Sequence, residues 1–231
     1  MHPVTIIARP APVDVDPQKT ALVVVDMQND FGSAGGMFDR AGIPIDAIRA
    51  AVEPTRQTIA AARQTSMKIV YLKMGYLPDL SDLGGADAPN RLSHRRLSVG
   101  DVVPAPDGGE YRVLVRDTWG TNIVDELKPE PDDVVVYKSR FSGFYKTELD
   151  DLLRELGVTH LIVTGCTSSV CVESTVRDAF FRDYHCIVVE DCTAEPIGAD
   201  FPRSNHDATM LLNEALFGAV STSAHVISAL S

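Results

Sequence analysis

The segment Thr20 to Asp26 (TALVVVD) is apolar at every position between its first threonine and its closing aspartate. A continuous run of that length predicts a strand covered on both faces, as in a parallel sheet, and not the alternation of a half-exposed strand. Lys68 to Met74 (KIVYLKM) predicts a second strand. Asp133 to Tyr137, His160 to Thr164 and Cys186 to Glu190 predict three more, with a short one near the carboxyl terminus. Between the strands the apolar period lengthens. Over Ile45 to Gln64, the residues Ile48, Val52, Ile59 and Ala62 recur on one stripe, the spacing of an amphipathic helix. Further helices are predicted at Lys146 to Leu156 (closed by Gly157), Val170 to Asp183 and Ser204 to Phe217, and a last one ends the chain. Strands alternating with helices imply an α/β fold: three layers, α/β/α, around a mostly parallel six-stranded sheet. Residues 1–19, rich in Pro and Val, predict a surface arm preceding a single domain over 20–231. Residues 75–112 are dense in Gly, Pro, Asp and Arg and predict a long irregular insertion, a kind that is usually functional or mobile.

Composition narrows the partners. A chain of 231 residues with 45% hydrophobic positions can bury a continuous core. The formal net charge of −11 argues against nucleic acid or an anionic membrane surface as the main partner, and leaves a small molecule as the expected one. Met1 to Asp16 lacks the basic and apolar regions of a secretory signal, and no stretch approaches the ~20 apolar residues of a membrane span. Four cysteines in such a chain read as thiols, and a cytoplasmic location is expected.

In an open parallel sheet, ligands bind beyond the carboxyl ends of the strands. Asp26 closes the first predicted strand, Lys138 follows the strand 133–137, and Cys171 begins the helix after the strand 160–164. Singly, each has an ordinary reading: an aspartate caps, a lysine is solvated, a helical cysteine packs as a small core residue. Together at one sheet edge they point to nucleophilic chemistry. The first turn of a helix favours an anion, and Lys138 would add to that, so both are expected to lower the Cys171 pKa. The small polar segment Gly165 to Val170 is suited to present backbone N–H groups to an oxyanion, and Asp26 to take the thiol proton and return it to a leaving amine. A Cys–His dyad fits less well, because His160 and His185 fall at the starts of strands, whereas His206 and His225 remain open. Cys166/Cys171 and Cys186/Cys192 are too loosely spaced to suggest zinc, and no Gly-rich nucleotide loop is present.

At these residues the chain resembles the isochorismatase-like cysteine hydrolases. The resemblance runs from Thr20 nearly to the end and rests on ALVVVDMQNDF (21–31), the lysine in VVYKSRFSGFYKTELD (135–150) and TGCTSSVCVESTVRDAFF (164–181). It implies a Rossmann-like fold and a catalytic triad of Asp26, Lys138 and Cys171. It also implies a cis peptide between Cys166 and Thr167, with the N–H groups of Thr167 and Cys171 as oxyanion hole. RDTWGTNIVDELKPEP (116–131) is similar to ureidoacrylate amidohydrolases. MGYLPDLSDL (74–83) and FGAVSTSAHVISAL (217–230) are more like biuret hydrolases. Met74 stands where the ureidoacrylate branch would place a polar contact, and Ser169 where an Asn or Asp is usual. The resemblance implies hydrolysis of a C–N bond in a small ureido or carbamoyl compound or amide, with release of ammonia; the alternatives are an amidase on another small amide such as nicotinamide or an N-carbamoyl amino acid, and a catalytically silent binding subunit of the same fold. Asn29, Trp119, Arg140, Phe141 and Asn213 are the expected substrate contacts. The His/Asp metal cluster of the nicotinamidase branch has no counterpart in Lys73 to Asp79, so neither metal nor cofactor is expected. Isochorismatases proper lack the nucleophilic cysteine, so Cys171 argues against vinyl-ether hydrolysis. A homo-oligomer, dimer or tetramer, is the expected assembly.

Overall fold

The structure, a computed structural model, describes residues 3–231. Two short strands, β1 (Val4–Ile6) and β2 (Val13–Val15), pair antiparallel, and β3 (Thr20–Val25) follows. Next come the short helices α1 (Asn29–Gly32) and α2 (Met37–Arg40), the long helix α3 (Asp46–Arg63) and β4 (Lys68–Met74). The insertion holds α4 (Pro89–Arg95) and the hairpin of β5 (Val102–Pro104) with β6 (Glu110–Arg112). After it run β7 (Val134–Lys138), α5 (Leu149–Glu155), β8 (His160–Cys166), α6 (Glu173–Phe180) and β9 (His185–Ala194). The chain ends with α7 (Asn205–Leu212), β10 (Ala219–Ser221) and α8 (Ser223–Leu230).

Six strands form one parallel sheet in the order β10-β9-β8-β3-β4-β7. The continuous apolar run of β3 has a direct cause in this arrangement. Leu22 and Val24 face the core under α3 and α8, while Ala21, Val23 and Val25 face the other core, under α5 and α6. A central strand with helices on both faces has no solvated side on which to place polar residues. The stripe Ile48, Val52, Ile59 and Ala62 is buried, as its spacing predicts.

Three expectations are corrected. Residues 3–19 of the predicted arm are folded onto the domain: Ile6 and Val15 enter the core, and Arg9 pairs with Val220 at the edge of the sheet. The first two residues of that arm lie outside the described residues. The 75–112 segment is a structured cap and not irregular chain, because its apolar residues Leu83, Val99, Val103 and Tyr111 join the main core. The helices predicted to start at Val170 and to end at Phe217 are each broken by a π-helical turn, at Ser168–Val172 and Asn213–Phe217. Among the described residues no helix is long and apolar enough to cross a membrane.

Candidate active site

The chain order reverses about β3: β4 and β7 lie to one side of it, β8 to the other. Such a switch point opens a crevice at the carboxyl ends of the strands. Asp26 is the first residue beyond β3, and its backbone is left-handed (φ 50°), which turns the chain at the strand end. Aspartate tolerates this region better than most residues. Beside it, β8 comes unusually close. A Cβ on Gly165 would lie 2.0 Å from the Val25 carbonyl oxygen, so glycine alone fits there.

Lys138 ends β7, two strands away from β3. At ~4.8 Å per strand spacing, only a long side chain bridges that gap. It crosses over Met74, its register partner on β4, and passes its Nζ 3.6 Å from the Met74 Sδ. Nζ then donates to Asp26 Oδ2 at 2.7 Å and to the Arg140 carbonyl at 3.3 Å, fully buried. The other carboxylate oxygen, Asp26 Oδ1, accepts from the Met74 N–H at 2.9 Å. Gln28 clamps the same strand end, accepting from the Met74 N–H (2.7 Å) and donating to the Met74 carbonyl (2.9 Å). Gln28 is a site residue that the sequence reading missed. A glutamine two residues past Asp26, at the end of an apolar run, was its only signal.

Cys171 sits within the π-helical turn after β8, where the Val170 and Val172 N–H groups both donate to the Thr167 carbonyl. Single π turns of this kind recur at functional sites. The thiol is near enough to Asp26 and Lys138 for each to act on its ionisation. Burial pushes the Asp26 carboxyl above the usual range, and the attraction of Lys138 offsets this only in part. Burial works against the Lys138 ammonium, but Asp26 and then Cys171 outweigh it and hold Lys138 above the ordinary lysine value. Burial also pushes the Cys171 thiol far up. That direction is opposite to the expected lowering: desolvation of the thiolate exceeds the help from Lys138. The Cys166–Thr167 peptide is cis, and both residues line the same cavity as Cys171. The Cys166 thiol donates to the Asp26 carbonyl at 3.1 Å.

A second missed residue is Glu195, buried past the end of β9. It accepts from the Ser169 N–H (3.0 Å), from the Ser169 hydroxyl and from the Ile197 N–H (3.0 Å), which pins the turn that carries Cys171. His206 bonds the Ser168 hydroxyl through Nδ1 at 2.9 Å, His225 is exposed, and His160 and His185 stack on each other at the opposite strand ends.

The cavity over the triad measures about 320 Å³ and is lined by Asp26, Cys171, Met74 and Thr167 at its base and by Phe31, Phe38, Ile43, Leu97, Phe141 and Ile197 on its walls. Of the five expected substrate contacts, only Phe141 lies there. Asn29 and Trp119 line a separate cleft, joined by the Asn29 Nδ2 bond to the Trp119 carbonyl at 2.9 Å. Arg140 is turned to the cap, donating to the Asp82 carbonyl at 2.9 Å, with its guanidinium over the Tyr145 ring. Asn213 is buried in the second π turn against α6 and β10, its side-chain N and O without protein partners. No cluster of three or more His, Cys, Asp or Glu with metal-holding geometry occurs among the described residues.

The isochorismatase domain family model matches residues 20–225. The chain is 38% identical over 217 residues to the ureidoacrylate amidohydrolase RutB of Caulobacter segnis, covering 94% of this chain and 88% of that one. Its fold superposes on the crystal structure of a cysteine hydrolase from Pseudomonas syringae pv. phaseolicola with a TM-score of 0.77, at 27% identity and 94% coverage of both chains. N-carbamoylsarcosine amidase from Thermoplasma acidophilum gives a TM-score of 0.65 at 27% identity, covering 89% of this chain and 96% of that one. With a family model matching residues 20–225 and a relative 38% identical over 94% of it, the chain belongs to the isochorismatase family, as one of its cysteine hydrolases.

Proposed function

We propose that this protein hydrolyses a C–N bond of a small ureido or carbamoyl compound or amide through a thioester on Cys171, releasing ammonia. The observation that carries the reading is that Asp26 and Cys171 line one cavity, with the buried Lys138 bonded to Asp26 behind it. Asp26, raised by burial, is poised to take a proton, and the neighbouring thiol has one to give. As sulfur attacks the carbonyl carbon, the proton passes to Asp26 and the oxygen gains charge facing the Thr167 and Cys171 N–H groups. Asp26 returns the proton to the nitrogen as the C–N bond breaks, and ammonia leaves. Asp26 then draws a proton from water, which attacks the thioester and frees the acid and the thiol. Lys138, held protonated throughout, balances the negative charge that moves between sulfur and carboxylate. The names of the RutB relative and of the N-carbamoylsarcosine amidase support a ureido or carbamoyl carbon at the scissile bond.

The test is ammonia release over ureidoacrylate, biuret, N-carbamoyl amino acids, nicotinamide and simple amides, with mass spectrometry of the intact chain during turnover. Turnover with an acyl adduct on Cys171 is expected. Turnover undiminished in Cys171→Ala would remove the mechanism.

A further inference from the structure

The walls of the cavity differ in chemistry from its base. Phe31, Phe38, Ile43, Leu97, Phe141 and Ile197 supply them, with Phe31 and Phe38 packed edge to face at 5.0 Å between ring centroids. Two polar side chains of the cap also reach the wall, and their polar atoms are already bonded within the protein. His94 Nδ1 donates to the Asn90 carbonyl at 2.7 Å, which leaves Nε2 to accept from the Tyr76 hydroxyl at 3.2 Å. The Ser93 hydroxyl donates to the same Asn90 carbonyl at 3.0 Å. What His94 shows the cavity is ring surface, stacked on Phe141 at 5.8 Å. Burial lowers its pKa as well. Among the described residues the one buried Lys or Arg, Lys138, is bonded to Asp26. Arg96 also lines the cavity, but from an exposed position where its guanidinium stays hydrated.

Resting on the amidohydrolase reading above, we propose that the group attached to the reacting carbonyl is uncharged and apolar, of the size of a phenyl ring or a branched alkyl chain. The substrate is thus an apolar-substituted primary amide or urea and not a ureido acid. A carboxylate carried into this wall loses hydration and meets no free buried cation among the described residues, and burial of an unpaired charge is costly. Apolar carbon, by contrast, gains from every wall atom it touches. The volume agrees: a dry cavity of ~150 Å³ already admits benzene, and this one, at about 320 Å³, has room for a ring and the amide that reaches Cys171.

The experiment compares kcat/KM for benzamide, phenylacetamide and phenylurea with that for 3-ureidoacrylate and N-carbamoylglycine in one buffer. In parallel, the same compounds compete with iodoacetamide for Cys171. The apolar set is expected to lead by at least about tenfold, the scale of one or more methylene contacts. Phe141→Ala should raise KM for the ring substrates with kcat retained. Ile197→Arg, at a half-exposed position that tolerates a charge, should shift preference toward the ureido acids. A lead of less than tenfold, or any lead for the ureido acids, overturns the inference and leaves the amidohydrolase reading standing. If nothing is hydrolysed but only the apolar compounds protect Cys171, the amidohydrolase reading fails and the inference about the cavity holds. If nothing is hydrolysed and the apolar compounds give no selective protection, both fall.

Discussion

Lys138 Nζ lies 2.7 Å from Asp26 Oδ2, and neither side chain is more than 1% exposed. A fully buried ion pair is costly to assemble, because both charges leave water, and its removal one partner at a time is costlier still. Its presence under the thiol of Cys171 ties the stability of the domain to the machinery of the proposed reaction.

Replacing Lys138 by Met should therefore destabilise the fold by about 3–5 kcal/mol where Asp26 is ionised. The loss should depend on pH with a definite sign. Burial raises the folded-state pKa of Asp26, and without Lys138 nothing comparable opposes it. The folded variant then binds the Asp26 proton more tightly than the unfolded chain, so its stability is highest in acid and falls as pH rises through the raised pKa. Urea unfolding at pH 5 and pH 8 should show a larger deficit at pH 8. Equal deficits would mean that Asp26 is not the group left uncompensated.

Asp26→Asn and Cys171→Ala should each lower turnover by orders of magnitude, on the ~10²–10⁴-fold scale of a positioned acid–base group for Asp26. The double variant should be little worse than Cys171→Ala, because the groups act as one unit. Cys166→Ala, Cys186→Ala and Cys192→Ala should keep measurable activity wherever they fold. Multiplicative losses in the double variant would show that Asp26 and Cys171 act in separate steps.

Burial pushes up the thiols of all four cysteines, Cys186 and Cys192 to about 12 and Cys171 further. Alkylation should accordingly be slow at neutral pH and should climb steadily as pH is raised. Cys171 should still be labelled first, since it faces the cavity beside a base. Peptide mapping after iodoacetamide treatment at several pH values checks both statements. A labelling plateau below pH 8 would mean that Cys171 rests as a thiolate and that Lys138 outweighs desolvation after all.

Asp30, fully buried, accepts from the Leu114 N–H (2.8 Å), the Tyr111 hydroxyl (2.9 Å) and the Met37 N–H (3.1 Å). It joins two walls of the cavity, since Met37 and Leu114 both line it. Asp30→Ala leaves these donors without their acceptor, at ~1–3 kcal/mol for each that stays dry. Thermal unfolding should drop by several degrees, at roughly 2–4 °C per kcal/mol for a chain of this size. KM should rise more than kcat falls. A variant with unchanged KM would detach the cap from substrate binding.

Dialysis against a chelator should leave activity unchanged, because a thiol, a base and two N–H groups complete the proposed chemistry. Activity lost and then restored by one specific divalent ion would contradict this.

The strands of the sheet, and the polar residues at their carboxyl ends, were legible in the sequence. The run at 20–25 is apolar throughout because β3 is covered on both faces, and that pattern is visible without coordinates. Asp26, Lys138 and Cys171 could be placed together because each lies at or beyond the carboxyl end of a strand, and those ends in a parallel sheet share one edge. The tertiary structure alone decided the character of the cavity. Its walls come from α1, α2, α4 and the segments after β6, β7 and β9, whose proximity depends on how the cap folds over the sheet. Asn29 and Arg140 carry hydrogen-bonding groups that look suited to a substrate, yet the bonds they make to the Trp119 and Asp82 carbonyls hold them elsewhere. The ionisation of Cys171 was likewise beyond the sequence. A helix start and a lysine both favour a thiolate, and only the depth of burial, a property of the assembled fold, shows that desolvation outweighs them.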